Sequence, residues 1–407
     1  MLKPKLKHLR HPLRTLNVAK SMVAALFEMR AFSARADKKF AGDPRYQLQY
    51  VTAGFACRRM SGSDDIALLD RICAAYNAAV EHPESSRTIR ATGWWQQIRD
   101  RSLGPVRQAL RTRDIAALQL IYCNLFRDPC CTGLISVPYG MIDVYFGGKM
   151  RDLHRRIYLA DALYRLDYWK QETGGRFNLG DLAIPSIGNP FGVCFEGTLL
   201  SARAEFQHSC SVRLAGLLGS QPSSIMEIGG GFGGMAYYLL RDRPEIKYFD
   251  FDLPESIALA TYFLMKAFPD KNFLLFGERP MTEKTIADAD IVLMPLSEMK
   301  RLQNASIDVT YSSHAMTDIE PGELVSYLET IHRVTCSRFL FLGAALLPNV
   351  PGLIGGDCDF FRLEERRHLS WHSHWRSGAE EVECLYSFAH ADRDRLSTER
   401  TLVHVDR

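Results

Sequence analysis

Residues 224–254 contain the feature that most restricts the fold, a glycine-rich turn between two short apolar runs. The first run ends near Glu227, five glycines follow between positions 229 and 234, a helical pattern comes next, and the second run ends at Asp252. This order predicts a strand, a loop, a helix and a second strand. Such a loop presents helix N-terminal amides to an anionic group. An acid at the second strand's tip can accept hydrogen bonds from two ribose hydroxyls. The segment therefore predicts a site for a nucleoside-type cofactor.

The glycines alone do not identify that cofactor, because Gly229, Gly231 and Gly234 also satisfy the Gly-x-Gly-x-x-Gly pattern of dinucleotide sites. Glu227 favours a different ligand, since its carboxylate would face the position of a pyrophosphate, where like charges repel. S-adenosylmethionine has no phosphate, and its ammonium and sulfonium groups are attracted by an acid. Its carboxylate can still meet the helix N-terminus. The residues therefore favour S-adenosylmethionine over NAD.

Three segments together resemble a known family. Residues 188–192 read Gly-Asn-Pro-Phe-Gly, residues 227–234 read Glu-Ile-Gly-Gly-Gly-Phe-Gly-Gly, and residues 252–256 read Asp-Leu-Pro-Glu-Ser. The second segment resembles motif I of the class I S-adenosylmethionine-dependent methyltransferases, and the series is similar to the bacterial sugar O-methyltransferases. The resemblance covers about residues 181–346, less than half of the chain. It implies S-adenosyl-L-methionine as the cofactor and a hydroxyl of a small molecule or glycan as the acceptor.

The resemblance also implies a set of cofactor-binding residues. Asp252 would bind the ribose hydroxyls, Leu253 would line the adenosine pocket, and residues 294–297 would pass the adenine ring. The complete predicted set is Glu227, Gly229, Gly230, Gly231, Gly233, Asp252, Leu253, Pro295, Leu296 and Ser312. The chain departs from the family at residues 312–318, which read Ser-Ser-His-Ala-Met-Thr-Asp in place of an Asn-Ser…Glu-Met type of stretch.

The catalytic candidates follow from the chemistry of methyl transfer to oxygen, which requires alignment and the removal of one proton. His314 is the first candidate for the base, because it lies at the predicted tip of the fourth strand, although it could instead cap a helix or contact the cofactor. Asp318 could orient it, act as the base, or cap the next helix. His208 could reach the cleft from its own helix or be a buried structural histidine. Asn189 could cover the acceptor or build a turn.

The order of secondary structure predicts an α/β protein with a Rossmann-like, mostly parallel sheet. Residues 1–180 read as a helical N-terminal region that supplies an acceptor pocket or lid, and residues 181–407 as the methyltransferase domain. The runs Glu383–Phe388 and Thr401–Val405 predict a terminal hairpin with an antiparallel last strand. The histidines between 368 and 374 predict a solvated loop.

Composition narrows the possible partners. A net charge of +3 over 407 residues does not indicate a nucleic-acid-binding protein. Residues 1–40 nevertheless hold ten Lys and Arg against two acids, which predicts either a solvated basic arm or weak contact with a membrane surface or polyanion. The apolar stretch Ser21–Phe27 is too short to span a membrane. Ten scattered cysteines without a Cys-x-x-Cys pair predict reduced thiols and no metal site. We therefore expect a cytoplasmic protein, as a monomer or homo-oligomer.

Two other functions stay open at this point. One is an NAD-dependent oxidoreductase, and the other is a catalytically inactive partner protein with a methyltransferase fold. The intact glycines and Asp252 argue against a decayed cofactor site.

Overall fold

The computed structural model describes most of the chain. The described residues are 12–56, 60–61, 65–83, 93–134, 142–219, 223–319, 321–344, 349–354, 356, 358–372, 374 and 380–388.

The N-terminal part of the described chain is helical, as the apolar periodicity predicts. Its helices are α1 Pro12–Lys39, α2 Leu48–Gly54, α3 Ile66–Glu81, α4 Gly93–Arg101, α5 Gly104–Thr112, α6 Ile115–Tyr122, α7 Ile142–Tyr145 and α8 Asp152–Glu172. Helix α3 shows why these segments begin where they do. The Asp65 carboxylate accepts hydrogen bonds from the amides of Ala67 and Leu68, which would otherwise lack partners at the helix start.

The rest of the chain alternates strands and helices. A short antiparallel hairpin comes first, formed by β1 Gly192–Phe195 and β2 Thr198–Ser201. The later strands are β3 Ser224–Ile228, β4 Lys247–Asp252, β5 Phe273–Leu275, β6 Ile291–Pro295, β7 Ile307–Ser313, β8 Thr335–Ala344, β9 Phe361–Leu369 and β10 Glu381–Phe388. The accompanying helices are α9 Ala204–Leu217, α10 Gly234–Asp242, α11 Pro254–Ala267, α12 Glu283–Ala287, α13 Pro321–Val334 and α14 Asn349–Ile354.

Strands β3 to β10 form one eight-stranded sheet in the order β5-β6-β4-β3-β7-β8-β10-β9. The pairs from β5 to β8 are all parallel, whereas β10 is antiparallel to both of its neighbours. The predicted Rossmann-like α/β fold is therefore confirmed. Because β10 runs against β8, its first residue lies at the edge where the parallel strands end.

The antiparallel strand is where the sequence predicts it, but its hairpin partner differs. Strand β10 pairs with β9, and Thr401–Val405 lie outside the described residues. The expectation of a solvated loop at 368–374 is wrong in two respects. His368 belongs to β9, and His374 Nε2 lies 2.7 Å from Asp161 Oδ1 in α8.

The core lies on both faces of the sheet. Alternate residues of each strand point to opposite faces, so that Ile225 joins one buried cluster and its neighbour Met226 the other. The first cluster continues into the N-terminal helices through residues such as Phe32 and Trp169, both fully buried. The helical region therefore packs on one face of the sheet and shares its core. None of the described helices combines the length and apolarity needed to cross a bilayer.

A buried ion pair also joins the helical region to the sheet. Arg99 in α4 donates through Nε to a carboxylate oxygen of Glu255, in the first turn of α11. Both side chains are largely buried, at 11% and 1% exposure. A charge left alone at such a position is strongly destabilising.

We therefore expect Arg99→Met to lower the free energy of unfolding in urea by about 3–5 kcal/mol, because it leaves the Glu255 carboxylate uncompensated. Adding Glu255→Gln should recover part of that loss. The matched control is Arg155→Met, which removes an ion pair with the exposed Asp152 and should cost less than about 1 kcal/mol. Equal losses in the two single variants would contradict the role given to Arg99.

Candidate active site

The glycine loop turns between β3 and α10 in a shape that side chains would prevent. Gly229 has φ of 82°, and a Cβ there would collide with Ala315, the residue after His314. A Cβ at Gly230 would lie 2.6 Å from Asp250 Oδ2. The glycines therefore allow the loop to approach both β4 and the end of β7.

The amides of this loop donate to groups of the protein itself. Gly229 N–H donates to the Phe251 carbonyl at 3.0 Å. Gly230 N–H donates to Asp250 Oδ1 at 3.1 Å, and Gly231 N–H to Asp252 Oδ2 at 3.0 Å. Two carboxylates of β4 thus fix the course of the loop.

A third acid, Glu227, completes an acidic cradle with Asp250 and Asp252. Glu227 lies opposite Asp250 in the register of β3 and β4, and Asp252 follows two residues later, which places it on the same face. All three are buried, at 4%, 0% and 8% exposure. Among the described ion pairs, none includes any of the three. Any negative charge that the cradle carries when its acids ionise therefore has no ion-pair partner among the described residues.

Burial governs how these acids ionise. It raises the pKa of Glu227 to about 7, although a hydrogen bond from the Tyr248 hydroxyl at 2.5 Å favours the ionised form. Burial also raises the pKa of Asp252 to about 7, against the amides of Leu253 and Gly231. For Asp250, burial and the two neighbouring acids raise the pKa well above its ordinary value. Asp250 Oδ2 is a buried oxygen with no hydrogen-bond partner among the described residues.

The cradle has the chemistry of a site for a cation and resists a pyrophosphate. An ammonium or sulfonium would supply the missing positive charge, whereas a dinucleotide would add like charge. Asp252 also retains acceptor capacity for a hydroxyl, because a carboxylate has about four lone-pair sites, of which two amides and the Ser256 side chain use three. Sequence reasoning missed Asp250. The sequence Asp-Phe-Asp at 250–252 could have indicated it, because residues two apart on a strand lie on the same face.

The other predicted cofactor residues lie at the same sheet edge. Leu253 is buried at the start of α11, Pro295 is buried at the end of β6, and Leu296 follows it half-buried. A small, mainly apolar cavity lies between α3 and α11, and its lining includes Tyr76, Ile257 and Pro295. Ser312 is also at this edge, but its hydroxyl donates to the Ile228 carbonyl at 3.0 Å and so joins β7 to β3.

His314 follows β7 directly and is paired with a carboxylate from the far end of the chain. Its Nε2 lies 2.9 Å from Glu381 Oε1, and its Nδ1 lies 2.9 Å from Ser313 Oγ. The residue has a left-handed backbone, with φ of 63°, and a side chain 34% exposed. Such conformations are uncommon outside glycine and cluster at functional sites. Since Ala315 packs on Gly229, the pair lies beside the glycine loop.

Glu381 is the second residue that sequence reasoning missed. Burial alone would raise its pKa, but the hydrogen bond from His314 and the favourable electrostatic interactions with His314, His372 and Arg203 hold that pKa below its ordinary value. The carboxylate is therefore ionised at neutral pH. No local pattern could indicate it, because Glu381 lies 67 residues from His314 and reaches it through the antiparallel start of β10.

Two further candidates, His208 and Asn189, make hydrogen bonds to other side chains of the protein. His208 is fully buried, and its Nδ1 lies 3.1 Å from Trp169 Nε1 while its ring packs against Phe177. Burial lowers the pKa of His208 to about 4, so it is a neutral core residue, and we remove it from the catalytic candidates. The Asn189 side chain donates to Asn124 Oδ1 at 3.0 Å and so secures its turn; its contact with the acceptor stays a prediction.

Asp318 ends a single turn of 3-10 helix that spans Ala315–Asp318. Its side chain lies outside what the structure describes, so its role also stays a prediction. Among the described residues, no group of three His, Cys, Asp or Glu side chains is placed to hold a metal ion.

Residues 213–297 match the family model of an O-methyltransferase domain. This span contains the glycine loop, the acidic cradle and the end of β6. The class that the fold and site define is therefore that of the S-adenosylmethionine-dependent methyltransferases, with S-adenosylmethionine as cofactor. More narrowly, the family model that residues 213–297 match is that of an O-methyltransferase domain.

The chain is also similar to solved structures of methyltransferases. One is a SAM-dependent methyltransferase from Aquifex aeolicus, with 13% identity over 44% of this chain and 88% of that chain, at a TM-score of 0.31. A second is the magnesium protoporphyrin IX methyltransferase from Synechocystis PCC 6803, with 11% identity over 45% of this chain and 76% of that chain, at a TM-score of 0.31. A third is the 1,6-didemethyltoxoflavin-N1-methyltransferase from Burkholderia thailandensis, with 14% identity over 56% of this chain and 88% of that chain, at a TM-score of 0.30. No curated protein matches the chain significantly by sequence. Likenesses at this level do not bear on the acceptor.

The raised pKa values of the cradle predict a pH dependence of cofactor affinity. Glu227 and Asp252 hold protons up to about pH 7, and the cationic cofactor requires their ionised forms. We expect the affinity for S-adenosylmethionine, measured by calorimetry, to rise by up to about 100-fold between pH 6 and pH 8, because the ionised fraction of each of the two acids rises about tenfold. The stability of the unliganded protein should change in the opposite sense. Between the ordinary carboxyl pKa of about 4 and the raised value, the folded state binds more protons than the unfolded state, so stability falls as pH rises.

The control for this prediction is Glu227→Gln, which removes one titrating group and should flatten the pH profile of affinity. An affinity that is constant or falls with rising pH in the unaltered protein would contradict the assignment.

Proposed function

We propose that this chain is an S-adenosylmethionine-dependent O-methyltransferase that methylates a hydroxyl of a sugar, in a glycan or a glycosylated metabolite. The observation that carries the proposal is the His314–Glu381 pair beside the glycine loop, which combines a proton acceptor with the cofactor cradle. The sugar class is supported by the resemblance of the segments at 188–192, 227–234 and 252–256 to bacterial sugar O-methyltransferases.

The cofactor supplies a methyl group on a sulfonium, and the chain's own residues prepare the acceptor. With Nε2–H donating to Glu381, the lone pair of His314 lies on Nδ1; this tautomer is assigned from the hydrogen bonds. Ser313 Oγ, at 2.9 Å from Nδ1, marks where a hydroxyl donates its proton. The acceptor hydroxyl would displace this contact or use Ser313 as a relay. The ionised Glu381 would then stabilise the imidazolium that forms.

The helical region would supply the acceptor side of the site. Leu134 approaches the loop closely, since a Cβ at Gly231 would lie 3.2 Å from its Cδ2. Phe126 also packs edge-on against Phe232 of the loop, with ring centroids 5.0 Å apart. These contacts support a role for residues before 180 as a pocket wall or lid.

Ligand-induced thermal shift tests the cofactor. S-adenosylhomocysteine at 100 times its Kd should stabilise the protein by about 2.7 kcal/mol, while NAD should have no effect because the cradle opposes its pyrophosphate. Stabilisation by NAD alone would instead favour an oxidoreductase. The acceptor can be sought with labelled cofactor against nucleotide sugars and glycan extracts, followed by mass analysis of the product.

For His314→Ala, we expect turnover of that acceptor to fall by about 10²- to 10⁴-fold, because the proton acceptor is lost. Affinity for S-adenosylhomocysteine should stay nearly unchanged, since the acids of the cradle are intact. The matched control is His368→Ala, which alters an exposed histidine of β9 and should keep full turnover. Turnover in His314→Ala close to that of the control would place the base elsewhere.

A further inference from the structure

Four amides of the glycine loop already donate hydrogen bonds within the protein. The amides of Gly229, Gly230 and Gly231 already donate to Phe251, Asp250 and Asp252, and that of Gly233 donates to the Gly230 carbonyl at 3.0 Å. Helix α10 starts at Gly234, but Gln207 covers this start, since a Cβ on Gly234 would overlap the Gln207 amide. The sequence predicts that the helix N-terminus meets the cofactor's carboxylate, yet these donors are used and three acids lie nearby.

Arg203 lies one helical turn before Gln207, at the N-cap of α9. Its backbone is left-handed, with φ of 66°, as is that of His314. Its guanidinium carbon lies 4.7 Å from the centroid of the Phe206 ring, and that ring lies 6.1 Å from the His314 ring. Arg203 is therefore near both the start of α10 and the predicted base.

The guanidinium of Arg203 has no hydrogen bond or ion pair with any residue that the structure describes. Burial lowers its pKa, and Arg165 acts in the same direction, while Glu381 opposes the change. Arg165 already has its own partners, with Asp161 Oδ2 at 2.8 Å and Glu205 Oε2 at 3.9 Å. Arg203 is thus a partly desolvated cation without an anion in contact, although five N–H donors point from its planar fork.

We infer that Arg203 binds the carboxylate of the cofactor's methionine moiety. This inference rests on the proposed function and adds a residue that the glycine motif does not indicate. Charges of both signs at the methionine end are then met by separate groups: the acidic cradle attracts the ammonium and sulfonium, and the guanidinium receives the carboxylate in a bidentate pair. A carboxylate on the acceptor could pair with the guanidinium in the same way. The experiment below separates these two ligands, because it measures cofactor affinity and turnover independently.

The test compares S-adenosylmethionine with decarboxylated S-adenosylmethionine, which differs only by the carboxylate. Calorimetry on the full chain should show that the unaltered protein prefers the first ligand by about 10- to 100-fold. In Arg203→Met this preference should vanish, because affinity for S-adenosylmethionine falls while affinity for the decarboxylated ligand changes by less than about threefold. Arg203→Lys should be intermediate, since lysine keeps the charge but loses the fork.

Arg176→Met is the matched control, because Arg176 also lies over an aromatic ring, that of Phe177 at 5.6 Å, and should keep the preference. Four outcomes would overturn the inference. They are an unaltered protein that binds both ligands equally, a persisting preference in Arg203→Met, an equal loss of both ligands in that variant, or a loss of turnover alone, which would assign the arginine to the acceptor. If the unaltered protein binds neither ligand, the proposed function itself fails.

Discussion

Three acids buried in one cradle, with no ion-pair partner in the part of the chain that the structure describes, are the constraint on which the rest of the site depends. Asp250 and Asp252 accept hydrogen bonds from the amides of Gly230 and Gly231. The same acids therefore hold the conformation of the loop and determine the electrostatics beside it. The loop is therefore formed before any ligand arrives. Its electrostatic cost is offset only by a ligand that brings positive charge, and this requirement selects the cofactor more strictly than the glycines do.

The sheet order then determines what stands beside that cradle. Strands β4, β3 and β7 are adjacent and parallel, so the acids, the glycine loop and His314 emerge at one edge. Strand β10 contributes Glu381 to the same edge because it runs in the opposite direction. The helical region covers one face of the sheet and joins it through shared core and the Arg99–Glu255 pair. Under the proposed function, the groups that bind the cofactor and those that cover the acceptor thus come from different parts of the chain.

The sequence predicts what is local and misses what depends on distant contacts. The order of strands and helices around residues 224–254 follows from periodicity and turn residues, and it is confirmed. Asp250 could have been found from the sequence, because it lies two residues before Asp252 on the same strand and so shares its face. Glu381 could not, because its position beside His314 depends on where β10 enters the sheet. His208 was a candidate base that the structure does not support. The sequence shows only a histidine on a helix, and the hydrogen bond from Trp169 of another helix, which identifies His208 as a core residue, depends on the tertiary structure. Strand β9 was missed because Arg362, Glu364 and Arg366 make it look like a polar loop, as suits an exposed sheet edge.

The position of β10 also has a consequence for the order in which the protein matures on the ribosome. The cradle and loop are complete once residues up to about 313 have emerged and paired, but Glu381 is synthesised later and must enter between β8 and β9. If Glu381 supports the base as proposed, a nascent or truncated chain acquires the cradle for its methyl donor before it acquires the group that helps to activate an acceptor. Under the proposed mechanism, synthesis from the N-terminus to the C-terminus makes activation of the acceptor the later of the two properties to appear.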